Sequence, residues 1–203
     1  MAMVDENIVV RQGGLAAVEA LLTARFAMYP TVYFHPFVRG AELMLARAAN
    51  SAISSNKFTS QDFTTFTDHQ FLAELDRAGG FPQKTVKDFE NRRIVKSAVS
   101  ITKKQAEDSG LNRSSKEEYE NSIATNLGLD ASDIYVDLPP LSVVPGLTVK
   151  ILKDNDEVVS ARNLSRLVSG LYEAQFDHWR GRVYGPSGIR DELSSESSKV
   201  LGL

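Results

Sequence analysis

Three histidines, His35, His69 and His178, are the side chains of this 203-residue sequence best suited to hold a metal or carry a proton near neutral pH. None is followed by aspartate. Asp68-His69 and Asp177-His178 have the reverse order, and neither pair has a partner at metal-ligand spacing, so each histidine reads as a surface or packing residue. Cysteine is absent, which excludes disulfides, thiolate catalysis and cysteine-rich zinc sites. A second grouping is Arg25, Tyr29 and Tyr33, spaced by four, which share one slowly drifting face of a continuous helix. A guanidinium there can fork onto phosphate oxygens, and a phenol ring offers a flat apolar wall with a polar tip. The plainer reading is two core aromatics and a surface cation. No P-loop, dinucleotide fingerprint, nucleophile motif or metal-spaced carboxylate cluster accompanies them.

The elements that must position these residues begin at about Gly14. Leu15, Val18, Leu21, Leu22, Phe26, Tyr29, Val32 and Tyr33 recur at spacings of three and four, the period of a helical face. Pro30 and Pro36 each remove a backbone donor and predict a kink or break, after which Val38, Ala41, Leu45 and Ala48 resume the period until a stop at 50–56. A further helix, capped by Thr67 or Asp68, carries Phe71, Leu72 and Leu75. Gly79-Gly80-Phe81-Pro82 ends it, and Val86 and Phe89 suggest one more helix.

The second half alternates strands and helices. Residues 94–101 predict a strand. Ser115-x-x-Glu118 is a capping-box pattern opening a helix that Gly128 can close. Ile134-Tyr135-Val136 is a short strand, followed by a loop with Pro139-Pro140 and Pro145-Gly146. Residues 147–152 and 157–161 predict a hairpin around Asp154-Asn155-Asp156, Ser165 caps a helix, and 179–184 is a last strand. The expected fold class is α+β: kinked N-terminal helices (1–91), then a ferredoxin-like split βαβ sandwich (92–186), then a partly helical, partly frayed tail (187–203).

The run from Gly14 through Ala17, Glu19, Leu22, Arg25, Met28-Tyr29 and Val32-Tyr33-Phe34-His35 resembles the G-x-x-A-x-E-x-x-L-x-x-R-x-x-M-Y-x-x-V-Y-x-H stretch of the HD-domain dNTP triphosphohydrolase-like family, which includes the vertebrate SAM-and-HD-domain dNTPase. The resemblance extends more weakly through 68–75, Arg92-Arg93-x-x-Lys96 and the C-terminal half. It implies a substrate-binding role for two residues, Arg25 toward the triphosphate and Tyr33 against the sugar. It also implies a divalent metal held by an H…HD…D set placed before Gly14. Residues 1–13 contain no histidine, so no cofactor is expected in this chain, the metal is expected only with an upstream HD segment, and the chain by itself is expected to be inactive. Pro36 stands where many relatives carry a basic or polar residue, so no effector site is carried over.

Composition bounds the rest. With 42% apolar and 24% charged residues this is an ordinary globular composition, and a formal net charge of -3 argues against a general nucleic-acid surface. No apolar run approaches the length of a membrane span and no secretory signal is evident, so the expected location is cytoplasmic. The expected partners are another copy of the chain or a separate HD segment, with nucleotide as ligand. The competing function is a non-enzymatic binding or oligomerisation module derived from the same family.

Overall fold

The structure is a computed structural model and describes residues 1–140 and 148–203. The chain opens with a hairpin of β1 (Ala2–Val4) and β2 (Asn7–Arg11), followed by α1 (Leu15–Met28), a π turn at Tyr29–Tyr33 and α2 (Pro36–Ser54). The helices α3 (Ser60–Phe63), α4 (Asp68–Ala78) and α5 (Gly80–Glu90) complete the first half. The second half runs β3 (Lys96–Thr102), α6 (Lys103–Asp108), α7 (Lys116–Leu127), β4 (Tyr135–Asp137), β5 (Lys150–Leu152), β6 (Val158–Ser160), α8 (Ala161–Leu164), α9 (Arg166–Ala174), β7 (Arg180–Gly185) and α10 (Arg190–Leu201).

The kinked N-terminal helix is present, and both prolines act as expected. Pro30 opens the ladder into a π turn closed by Phe34 N–H donating to Tyr29 O at 2.7 Å, and the Thr31 hydroxyl takes the Ala27 carbonyl at 2.8 Å. Pro36 is the first residue of α2, where its missing donor costs nothing. The predicted Thr67 cap forms as a full capping box with Gln70. Gly79 and Gly80, both at positive φ, turn α4 directly into α5.

Mixed α+β architecture is confirmed, but a ferredoxin-like sandwich is not shown. The strands expected in it divide between two sheets. An antiparallel sheet of order β3-β7-β4 is covered by α7 and α10 around Ile101, Ile123, Val136, Val183 and Leu193. The β5–β6 hairpin forms as predicted, yet it leaves that sheet to pair with the N-terminal hairpin, in the order β1-β2-β5-β6. Val10 and Arg11 lie opposite Ile151 and Leu152 in a parallel register. The short N-terminal strands supply an edge for β5, and α1 packs on that sheet through Val18 and Leu22.

Two local expectations also change. Ser115 makes no capping bond; α7 is entered through a 3-10 turn, Arg113–Ser115, whose Ser114 N–H donates to the Asn112 side chain. Gly128 does close α7 in the left-handed region. The tail is a regular helix, with Leu193, Ser197 and Leu201 buried against β3 and α7. The predicted Pro145-Gly146 part of the loop after β4 lies outside the described residues. Among the described residues, no helix is long and apolar enough to cross a membrane.

Candidate functional site

Helix α1 is apolar on nearly every side. Glu19 and Arg25 are its charged residues, and a helix of this kind is ordinarily surrounded by protein. Only Val18 and Leu22 are buried. Glu19 is spent internally, accepting from the Ser165 hydroxyl at 2.5 Å, while Ser165 accepts from Val168 N–H to cap α9. The opposite side presents Ala17, Ala20, Leu21, Ala24 and Met28 to solvent, with Leu21 65% exposed. The N-terminal hairpin exposes apolar residues of its own. Val10 packs against the α1 core, strand alternation puts Ile8 on the same face, and the Met3–Ile8 register adds Met3. Met3 and Ile8 are 74% and 72% exposed.

Arg25 lies exposed in the last turn of α1, and Tyr33 lies at the end of the π turn, 45% exposed. Tyr29 sits between them and divides the roles that its spacing left open. Its ring packs on the Val18–Ile151 core and stands 4.9 Å from the Tyr33 ring and 5.7 Å from that of Phe34. The structure thus brings Tyr29 and Tyr33 together as a half-buried aromatic step beyond Arg25.

The three histidines are dispersed. His35 caps α2, its Nδ1 accepting from Phe37 N–H at 3.2 Å; His69 is exposed on α4; His178 meets the Phe26 ring edge-on at 5.1 Å. Among the described residues no group of three or more histidine, aspartate or glutamate side chains is placed to hold a metal. The described residues therefore do not fit the metal of an HD site.

The sequence does not reveal the polar network that ties α2 to β4. Arg39, one turn into α2, forks onto Asp137 at the end of β4, with Nε to Oδ2 at 3.0 Å and Nη2 to Oδ1 at 2.7 Å. Two turns further, Arg47 Nη1 donates to the carbonyls of Ala131, Ser132 and Ile134, and Nη2 donates to Glu120 at 2.6 Å. Its guanidinium lies 3.9 Å over the Tyr135 ring. Glu120 also accepts from Val136 N–H at 2.8 Å. Burial pushes the Glu120 carboxyl above its usual range, opposed by the Val136 amide and Arg47. The available signal was Asp137 inside the apolar run Ile134–Leu138: a buried carboxylate needs a cationic partner. One sequence does not say which.

A separate cleft of about 470 Å³ is lined by Lys84, Arg92, Arg93 and Lys96 from α5 and the entry to β3. Three of these cations are already engaged, Lys84 with Asp133 at 3.1 Å, Arg93 with Asp88 at 2.8 Å and Lys96 over the Phe37 ring at 5.3 Å.

An uncharacterised protein of Methanocaldococcus jannaschii is 22% identical over 197 residues, covering 92% of this chain and 41% of its own length. An uncharacterised protein of Bacillus subtilis is 40% identical over 48 residues, 24% of this chain and 11% of its own. Among solved structures, a hypothetical protein from Aquifex aeolicus superposes with a TM-score of 0.61 at 20% identity, over 96% of this chain and 48% of that one. A phosphohydrolase from Bacteroides thetaiotaomicron superposes with a TM-score of 0.56 at 17% identity, over 91% and 53%. The chain thus spans about half the length of these structural neighbours or less of the sequence relatives. The family model for the HD associated region matches residues 1–203, and the chain belongs to that family.

Proposed function

We propose that this chain is the C-terminal portion of an HD-type (d)NTP phosphohydrolase, supplying one substrate wall and a docking face to a metal-bearing HD segment. The observation that carries the reading is the outer side of α1: an apolar helix left uncovered, bearing Arg25 in its last turn and followed by Tyr33 at the end of the π turn. A helical segment laid along this face would bury Leu21 and Met28 and form the second side of a cleft at Arg25 and Tyr33. In that cleft Arg25 holds phosphate oxygens through its fork of N–H groups, and the Tyr33 ring supports the sugar. The name of the Bacteroides neighbour, a phosphohydrolase, agrees with this reading.

The chemistry is assigned to the HD segment, and the role of this chain is binding and orientation. The experiment is reconstitution: triphosphate release from dNTPs is measured with an HD segment of the family added, using the wild-type chain, Arg25→Ala and Tyr33→Phe. Arg25→Ala is expected to lower kcat/KM by at least about tenfold, the worth of a charge-assisted hydrogen bond. Unchanged activity in Arg25→Ala would remove its phosphate role. A wild-type chain that never associates with such a segment would favour the non-enzymatic module.

A further inference from the structure

The π turn that carries Tyr33 is held from its upstream side, by the Thr31 hydroxyl on the Ala27 carbonyl at 2.8 Å and by the Tyr33 ring against Tyr29, and has little of its own beyond them. None of residues 29–33 is buried, Pro30 and Pro36 lack donors at either side, and its closing bonds are Phe34 N–H to Tyr29 O at 2.7 Å and His35 N–H to Val32 O at 3.3 Å. Its position must come from the elements it joins. Upstream, Tyr29 and α1 are packed on the β5 sheet. Downstream, the His35 carbonyl accepts from Arg39 N–H at 3.0 Å, and Arg39 is the first residue of α2 whose side chain grips a buried group in the second half of the chain.

We propose that Arg39 is a positioning residue for the Tyr33 wall, acting through its two-pronged grip on Asp137. Two parallel hydrogen bonds fix rotation as well as distance, which a single contact does not. Asp137 is itself held in β4, whose partner β7 lies opposite it at Arg182. The first turn of α2 is thereby registered to the C-terminal sheet, and the π turn is spanned between two fixed bodies. Arg39 also meets Glu42 at 2.7 Å, but Glu42 is exposed on the same helix and cannot register α2 to anything else. The inference rests on the reading of Tyr33 as a substrate wall, although the clamp can be tested without substrate.

The test is residue-resolved amide hydrogen exchange on the whole chain, comparing wild type with Asp137→Asn, with Arg39→Lys (charge kept, fork lost), with Glu42→Gln and with Ile123→Val. Both clamp variants are expected to speed exchange at Phe34 and His35 by at least about tenfold, whereas Ile123→Val, a destabilising change in the core of the C-terminal sheet away from the clamp, should leave those two amides at their wild-type rates. Glu42→Gln should leave them at wild-type rates as well. Equal acceleration at Phe34 and His35 in Ile123→Val would make the pair an ordinary stabilising bridge and overturn the proposal, as would unchanged exchange at Phe34 and His35 in Arg39→Lys. Should the exchange result hold while Arg25→Ala and Tyr33→Phe leave reconstituted activity intact, the clamp stands and the substrate-wall reading falls.

Discussion

Arg39 and Asp137 stand 98 residues apart in sequence and are joined by a fork of two hydrogen bonds. Arg47, eight residues along the same helix, grips the opposite end of the same strand through Ile134 O and the neighbouring Glu120. Helix α2 therefore runs antiparallel to β4, with Met44 between the two arginines packed against Tyr135 and Tyr184. A buried ion pair is weak evidence for net stability, because desolvation offsets much of the attraction. Its value here is register: it fixes which turn of α2 faces which end of the strand.

That view separates breaking the pair from replacing it. Asp137→Ala leaves the Arg39 guanidinium with only its exposed Glu42 partner and is expected to cost about 2–4 kcal/mol in denaturant unfolding. The double change Arg39→Met with Asp137→Leu should recover most of that loss. A double variant as unstable as the single would show that the charges themselves are required.

Two glycines within helices should respond in opposite senses to alanine. A Cβ on Gly40 would sit 3.0 Å from the Val95 carbonyl and 3.3 Å from Val95 Cγ2, where α2 crosses the entry to β3. Overpacking against backbone is expected to outweigh the helix-propensity gain, for a net loss of about 1–3 kcal/mol in Gly40→Ala. Gly170 on α9 has nothing within 4 Å, so Gly170→Ala should stabilise by up to about 1 kcal/mol. Thermal midpoints moving in the same direction would contradict this packing account.

Burial pushes the Tyr135 and Tyr184 hydroxyls up to about 12, although Arg47 and Arg182 respectively favour their ionisation. An unfolded tyrosine ionises near 10, so between about 10 and 12 the folded state keeps protons that the unfolded state has lost. Stability should therefore be intact below pH 10 and fall across that window, by of order 2 kcal/mol per tyrosine. Tyr184→Phe should lessen the alkaline slope. It should also cost little at neutral pH, because the Tyr184 hydroxyl is buried without a hydrogen-bond partner. A slope unchanged in Tyr184→Phe would contradict the assignment.

The docking face makes a prediction distinct from the clamp. Leu21 contributes almost nothing to the core of the isolated chain, so Leu21→Glu should shift its unfolding free energy by no more than about 0.5 kcal/mol. The same change should abolish association with an HD segment, since it buries a charge in an apolar contact. Association retained at wild-type strength, measured by analytical ultracentrifugation, would move the docking site elsewhere.

Much of the fold was legible because local rules decided it. The prolines at 30 and 36, the Thr67 cap, the Asp154–Asp156 turn and Gly128 all act through neighbours a few residues away, and all are where the pattern put them. The strand pairing was not legible. A three-residue β5 has no preference between β4 and β2, and the choice rests on contacts some 140 residues distant. The N-terminal strands carry Asp5, Glu6 and Asn7 in a tight turn, too little alternation to stand out. For the site, Arg25 and Tyr33 came from spacing and resemblance, whereas Arg39, Arg47, Glu120 and Asp137 are defined only by where the chain brings them together.

Whether this chain works only alongside an HD segment is settled by metal-dependent release of triphosphate from dNTPs, assayed first with this chain alone and then with a family HD segment supplied. No release above background is expected from the chain alone, with activity requiring both components. Robust release by the chain alone, abolished by a chelator, would contradict it.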